Sequence, residues 1–334
     1  MTASDGYSAV RDGGAGLIDF TARGRFLISG SEGVMFLNGL ITNDMKALAV
    51  NSWMPAAFPN VQGRLLAAVR VIHGADGFLI DTESATRETV FKLLERFTLA
   101  GDFRVLDLMD QTTLVSIQGA KASDVVGAVL GEELASLNRD AVAIVDWQSE
   151  KITIIRVTHT AEDGFDLFVP ESRAEALRQA LVDAGAVTVG PDGFETLRIE
   201  AGIAHYGVDM DETNVVTETN LDDAVSFTKG CYIGQEIIAR IKYRGHVAKK
   251  LTGLIFENEA SPESGAKILS ADDKEIGRVT SLTSSPRLNR TIALGYVKYD
   301  YLAPGTRVKI ISSEKECPAA IAELPLVRGS WYTD

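Results

Sequence analysis

An α+β fold is predicted, with two duplicated ferredoxin-like halves around a central cavity and a small C-terminal β-barrel. Three observations predict it. Strand and helix patterns run twice in the same order between residues 25 and 187. The opening run Phe26-Leu27-Ile28-Ser29-Gly30 resembles Leu114-Val115-Ser116-Ile117-Gln118-Gly119. Beyond His246 short β-rich runs alternate with turns such as Ala303-Pro304-Gly305, the texture of a small barrel. The expected units are 1–110, 111–245 with the segment around Cys231, and 246–334.

In the first unit, Arg25 to Ser29 is an apolar strand, followed by a helix from about Ser31 with Val34, Leu37 and Ile41 on one face. Ser31 is placed to cap it, since its hydroxyl can accept a bond from an unpaired early N–H. Strands follow at Trp53–Phe58, Leu65–Ile72 and Phe78–Asp81, the last two joined by His73-Gly74-Ala75-Asp76-Gly77, whose glycines tolerate the positive φ of a hairpin. Val90, Leu93, Leu94 and Phe97 then recur at helical spacing, and Phe103–Leu108 returns as a strand. The second unit repeats the order. Thr112–Ile117 is a strand, Ser123–Leu130 a helix, and Val142–Trp147, Ile152–Val157 and Phe165–Val169 are strands. A helix from Glu171 to about Ala184 and a strand near Val187 complete it. Strand–helix–strand–strand–helix–strand order is the ferredoxin-like signature. A short helix from Phe194 to Ala201 and another from Gln235 to Lys242 flank the segment that carries the chemistry. In the last unit Leu251–Phe256, Glu275–Leu282, Thr291–Tyr299 and Arg307–Ile311 read as strands.

Composition narrows the function. With 334 residues, 46% hydrophobic and 24% charged, a sizeable core needs no disulfide or metal to hold it. The two cysteines, Cys231 and Cys317, are far apart, and no C-x-x-C or Cys/His cluster is present, so no metal site is expected. No leader peptide or membrane span is read, and a reducing cytoplasm is the expected location. A net charge of −13 opposes general affinity for nucleic acid or anionic membrane. One basic island runs against that average: Lys229, Arg240, Lys242, Arg244, Lys249 and Lys250, with Glu236 the only acid among them. It is either a solvated face or a place for an anionic ligand. G-x-S-x-G, G-x-x-x-x-G-K-[ST] and H-E-x-x-H are absent, and Gly13-Gly14-Ala15-Gly16 has no strand before it to make a dinucleotide turn.

Lys229-Gly230-Cys231-Tyr232-Ile233-Gly234-Gln235-Glu236 stands out. Its glycines permit a sharp turn or close approach of a ligand. A thiol just before a helix N-terminus, with a lysine near it, sits where positive potential favours the thiolate. The competing reading is a buried structural cysteine. Of the histidines, His205 and His246 lie nearest the motifs, and His73 and His159 are scattered; packing or surface roles are their ordinary fate. Cys317 is remote from the motif and reads as incidental.

The segment resembles the K-G-C-[FY]-x-G-Q-E motif of the YgfZ family of folate-binding proteins. Phe36-Leu37-Asn38-Gly39-Leu40-Ile41-Thr42-Asn43-Asp44 is similar to that family's F-L-x-G-L-x-T-N-D run. Leu197-Arg198-Ile199-Glu200-Ala201-Gly202 with Tyr206-Gly207-x-Asp209 is similar to its R-x-E-x-G…Y-G-x-D stretch. The resemblance implies a folate pocket in the two-fold unit, with tetrahydrofolate or a derivative as ligand. It implies an accessory role in assembly or repair of iron–sulfur enzymes, an indirect effect on tRNA modification, and client or assembly proteins as partners. Cys231 would be the reactive group, Glu200 would pair with the pterin edge, Tyr206 would stack, and Arg240 would meet the glutamyl tail. Asn43 and Asp44 would line the same cavity.

The same framework belongs to the glycine-cleavage T-protein superfamily, which makes tetrahydrofolate-dependent aminomethyl transfer the alternative. The T-protein's N-x-x-G-G-x-x-D-D run corresponds here to Asn60-Val61-Gln62-Gly63-Arg64-Leu65-Leu66-Ala67-Ala68, with alanine at both aspartate positions. A methyl group can neither accept a hydrogen bond nor support developing charge. On that ground the accessory, folate-binding role without conventional turnover is the expected one.

Overall fold

The computed structural model describes residues 3–99, 101–258, 262–312 and 315–332. A first sheet contains β2 (Gly24–Ser29), β3 (Ser52–Pro59), β4 (Leu65–Gly74), β5 (Gly77–Thr82) and β6 (Arg104–Asp107) in the order β3-β4-β5-β2-β6. Helices α2 (Gly33–Leu40) and α3 (Arg87–Glu95) cover one of its faces, because Leu37 and Leu40, and Val90 and Leu94, fall at spacings that share a helix side. The second sheet runs β11-β1-β7-β10-β9-β8. It comprises β1 (Gly16–Asp19), β7 (Thr112–Gln118), β8 (Val142–Trp147), β9 (Glu150–Arg156), β10 (Gly164–Pro170) and β11 (Val187–Thr188). Helices α4 (Ala122–Leu130) and α5 (Ala174–Asp183) cover its outer side with Val125, Val126, Leu177 and Leu181. The inner faces of the sheets meet through Ile72, Leu114, Ile155 and Phe168, so the layers run helix, sheet, sheet, helix.

Three features differ from the sequence reading. An N-terminal helix, α1 (Ala3–Arg11), and β1 precede the first predicted strand. Strand β1 pairs with β7 and β11, in the sheet of the second unit rather than the first. Four residues with one polar end carry too short a pattern to read as a strand. Ser31 does not cap α2: its hydroxyl donates to Asp102 Oδ2 at 2.9 Å, and Glu32 occupies the position before the helix, accepting from the Asp102 N–H.

The C-terminal strands close into a six-stranded barrel: β12 (Lys249–Phe256), β13 (Lys267–Leu269), β14 (Glu275–Ser285), β15 (Arg290–Lys298), β16 (Arg307–Ser312) and β17 (Lys315–Ala322). Pairing of β12 with both β15 and β17 removes the free edges. Helix α6 (Pro191–Glu200) joins the barrel to the rest. From it Arg198, almost fully buried, pairs with Asp209 at 2.7 Å and donates to Ser281 of β14 at 2.8 Å. Cys317 lies in β17 against the barrel core. No helix of the described residues is long and apolar enough to cross a membrane.

Candidate functional site

Three of the sequence motifs converge. The Cys231 segment lies against the C-terminal end of α2 and the Asn60–Gly63 turn. Lys229, 7% exposed, passes its amine under the loop and donates to the carbonyls of Asn38 (2.8 Å), Ile41 (2.9 Å) and Asn43 (2.6 Å). Those carbonyls sit where a helix end leaves acceptors unpaired and concentrates negative potential. The Ile233 N–H adds a bond to Gly39 O at 3.1 Å. Gly234 has φ +78° and packs so closely on the turn that a Cβ would stand 2.3 Å from Asn60 O. Glycine is required here on both counts. It directly precedes α7 (Gln235–Arg244), whose first residue Gln235 donates its N–H to Tyr232 O at 3.2 Å.

Below the loop Tyr232 joins Leu65, Met210, Val216 and Ile238, with Tyr206 and Phe227 against them. The Lys229 amine lies 5.0 Å from the Tyr232 ring centre. Above it Cys231 is exposed, with Gly230 and Ile233 beside it and Glu236 and Arg240 on the outer side of α7. The thiol is therefore presented to solvent on an anchored loop rather than packed in the core. Burial lowers the Lys229 amine to about 8, against the pull of Asp44. From about pH 8 up to the ordinary lysine value of 10.5 the folded protein then binds fewer protons than the unfolded chain. Stability is expected to rise with pH across that window, and Lys229→Met should flatten the rise. A wild-type denaturation midpoint that falls over the same interval contradicts the assignment.

Several expected ligand residues are engaged elsewhere. Glu200 is fully buried, and its carboxylate is taken up by the Tyr7 hydroxyl (2.7 Å), Arg11 Nε (2.7 Å) and the Ser285 hydroxyl. It ties α1, α6 and the barrel together, so it has no edge left for a pterin. Arg240 is half-exposed and pairs with Glu236 one turn back, at 2.6 Å. Tyr206 is partly buried and donates to Leu65 O at 3.2 Å, and burial with nearby Glu212, Asp211 and Glu83 raises its hydroxyl to about 12. Asn43 holds backbone, donating to Pro55 O (2.8 Å) and Asp223 O (3.1 Å), while Asp44 accepts from the Lys46 N–H. Of the basic island, Lys250 pairs with Asp222 at 2.9 Å and Lys242 lies over the Phe227 ring; the side chain of Arg244 is outside the described residues. His246 stacks on Tyr299 with ring centres 3.5 Å apart, and His205 pairs with Glu83 at 3.1 Å.

A space of ligand size, open to solvent, lies elsewhere, where both sheets and the barrel meet. A cavity of about 740 Å³ is bordered by Trp53, Arg70, Asp223, Leu251, Trp331 and Tyr332 among others. Its size is that of pockets which enclose a drug-sized organic ligand. Arg70 is 7% exposed and bridges the sheets, pairing with Asp81 of β5 at 2.7 Å and with Asp166 of β10. Asp81 is also held by Arg23 at 2.6 Å, and Asp166 by His159 at 3.0 Å. Burial alone would raise both carboxyls; the facing cations outweigh it and hold Asp81 and Asp166 low. The sequence carried a signal for this network: an arginine and two aspartates inside otherwise apolar strand runs, which are tolerated in a core only when paired. Ala67 is buried in the helix-covered core, whereas Ala68, two residues before Arg70, is on the opposite side of the strand, shared with Arg70.

A protein with two facing sheets, a closing barrel and a ligand-sized cavity at their junction is the class this arrangement defines. The family model for the GCVT N-terminal domain matches residues 2–229, and that for the glycine cleavage T-protein C-terminal barrel domain matches 249–328. The chain belongs to the glycine cleavage T-protein family. Among its relatives, an aminomethyltransferase of Rubrobacter xylanophilus is 30% identical over 317 residues, covering 94% of this chain and 83% of the relative. One of Herpetosiphon aurantiacus is 26% identical over 326 residues, covering 97% and 90%. The crystal structure of glycine cleavage system aminomethyltransferase T from Bartonella henselae has the same fold, with a TM-score of 0.88 at 23% identity, over 98% of this chain and 90% of that one.

Proposed function

We propose that this chain binds tetrahydrofolate or a close derivative in the cavity of about 740 Å³ where the two sheets and the barrel meet. The observation that carries the reading is that cavity, in a chain of the T-protein family, with the aromatic rings of Trp53, Trp331 and Tyr332 on its border. Flat rings supply stacking area for a pterin or a benzoyl group. We read the two sheets as duplicated ferredoxin-like halves, with the unit boundaries set out above, and a cytoplasmic site of action accompanies this reading. Saturable binding of tetrahydrofolate in a calorimeter is expected, and no heat beyond dilution overturns the proposal.

Two activities can be built on that binding. The name carried by the relatives, aminomethyltransferase, supports tetrahydrofolate-dependent aminomethyl transfer better than it supports an iron–sulfur role. What favours an accessory role instead is local chemistry. Ala67 and Ala68 stand where the T-protein motif has aspartates, and the Lys229–Glu236 motif holds an exposed thiol at Cys231. In the accessory reading Cys231 is the reactive group, and iron–sulfur client or assembly proteins are the partners. One thiol cannot hold a cluster, so the remaining ligands come from the partner. Release of ammonia from an aminomethylated lipoyl carrier in the presence of tetrahydrofolate establishes transfer, and its absence with an active carrier dismisses it. Cys231→Ala is expected to abolish rescue of iron–sulfur enzyme activities in a strain lacking the protein while leaving the fold intact. Full rescue by that variant removes the accessory reading.

A further inference from the structure

With Glu200 occupied, a ligand in the large cavity needs another carboxylate to read its polar edge. We infer that Asp223 pairs with the adjoining amide N–H and amino group of the pterin ring and so fixes the ligand's orientation. The inference rests on the tetrahydrofolate reading and deepens it.

Asp223 borders the cavity and remains open to solvent there. Among the described residues no side chain pairs with its carboxylate, whereas the neighbouring charges Asp222 and Arg70 are engaged. Asp222 is paired with Lys250, and Arg70 with Asp81 and Asp166. The backbone carrying Asp223 is pinned. Asn43 Nδ2 donates to Asp223 O at 3.1 Å, the Thr42 hydroxyl to Ala224 O at 2.6 Å, and the Ser226 N–H to Thr42 O at 3.0 Å. The same Asn43 and Thr42 side chains also bond Pro55 O and Ala57 O of β3, which lie in register with Arg70 and Ala68 of β4. The loop thus delivers a carboxylate to the wall that Pro55 of β3 shares with Arg70 of β4, whose guanidinium is already paired.

A carboxylate accepts two parallel N–H bonds from an amide-and-amine edge, and a short, pre-anchored side chain loses little entropy in doing so. Burial, first, and neighbouring Asp222 raise the Asp223 carboxyl, although its own N–H and that of Ala224 oppose them. A negative charge in that setting gains from a ligand that brings donors. Among the described residues Glu323 is the other carboxylate on the cavity border with no side-chain partner, but it stands beyond β17 on a longer, freer side chain.

The test is titration of the full chain and its Asp223→Asn and Glu323→Gln variants with two ligands. One is tetrahydrofolate; the other is its analogue with methyl in place of the 2-amino group. Asp223→Asn is expected to weaken tetrahydrofolate by roughly 10- to 100-fold, the scale of lost charge-assisted bonds, and to change the analogue little. Glu323→Gln should leave both affinities within about twofold, as a side chain outside the contact does. Equal affinity in Asp223→Asn and wild type overturns the inference. So does an equal loss for both ligands, which marks a structural role, or a loss that follows Glu323 instead. Tight binding by wild type with no Asp223 effect removes this inference alone; no binding by wild type removes the folate reading and this inference with it.

Discussion

Arg11→Met is expected to lower the stability of the protein by about 3–5 kcal/mol, the scale for breaking a buried ion pair from one side. Arg11 is buried, and its guanidinium reaches Glu200 (2.7 Å), Glu162 (2.9 Å), Thr160 O (2.7 Å) and Leu197 O (3.3 Å). Methionine fills the stem volume but leaves two carboxylates facing each other without their cation. Glu200 would retain only the Tyr7 and Ser285 hydroxyls, and Glu162 the N–H and hydroxyl of Ser330. Because Arg11 joins α1 to α6 and to the Thr160–Glu162 turn, from which Glu162 holds Ser330, the loss should appear as a lower denaturant midpoint for the whole molecule. Adding Glu200→Gln should recover part of it, since removing both charges costs less than orphaning one. A loss below about 1 kcal/mol, the scale of an exposed pair, would mean that Glu200 is hydrated and free to meet a ligand.

Lys229→Met should be nearly as damaging, by about 3 kcal/mol, because three carbonyls at the end of α2 lose their donor while remaining buried. The effect should be local as well as global. With its anchor gone, the loop from Ser226 to Gly234 keeps the Ile233 N–H to Gly39 O bond and the Gly234 contact but not the tie beneath Cys231. Alkylation of Cys231 is therefore expected to accelerate relative to wild type, and proteolysis to begin in that loop. Unchanged alkylation together with unchanged stability would show that Lys229 does not hold the segment. The two outcomes separate a lysine that supports the thiol's presentation from one that merely fills space.

Much of this molecule is legible in its residues. Apolar runs and period-3.6 spacing locate β2 to β10 and helices α2 to α5: the helices bury one side, while strands such as β7 and β10, covered on both faces, read as short continuous apolar runs. The turn-rich, β-rich C-terminal third reads as a barrel, and the strands do close into one. Strand β1 escapes the pattern, since its place depends on partners distant in sequence. The candidate site divides along the same line. The Lys229–Glu236 segment is recognisable by residue type and spacing, and Cys231 is indeed exposed just before a helix. Glu200 and Arg240 are assigned to a ligand on motif alone, and the fold engages one with Arg11 and the other with Glu236.

Local chemistry, then, is written in the chain: which stretches pair or coil, where a glycine must bend, that a thiol precedes a helix, and that Ala67 and Ala68 carry no charge. Which groups remain available to a ligand was decided by assembly. A carboxylate's fate depends on what stands opposite it, and the partners of Glu200, Asp166 and Asp81 come from elements far apart in sequence. Ion pairing in a low-dielectric interior is strong enough to claim such a group entirely, so only the packed structure separates the acids that hold the fold from Asp223, which still faces open space.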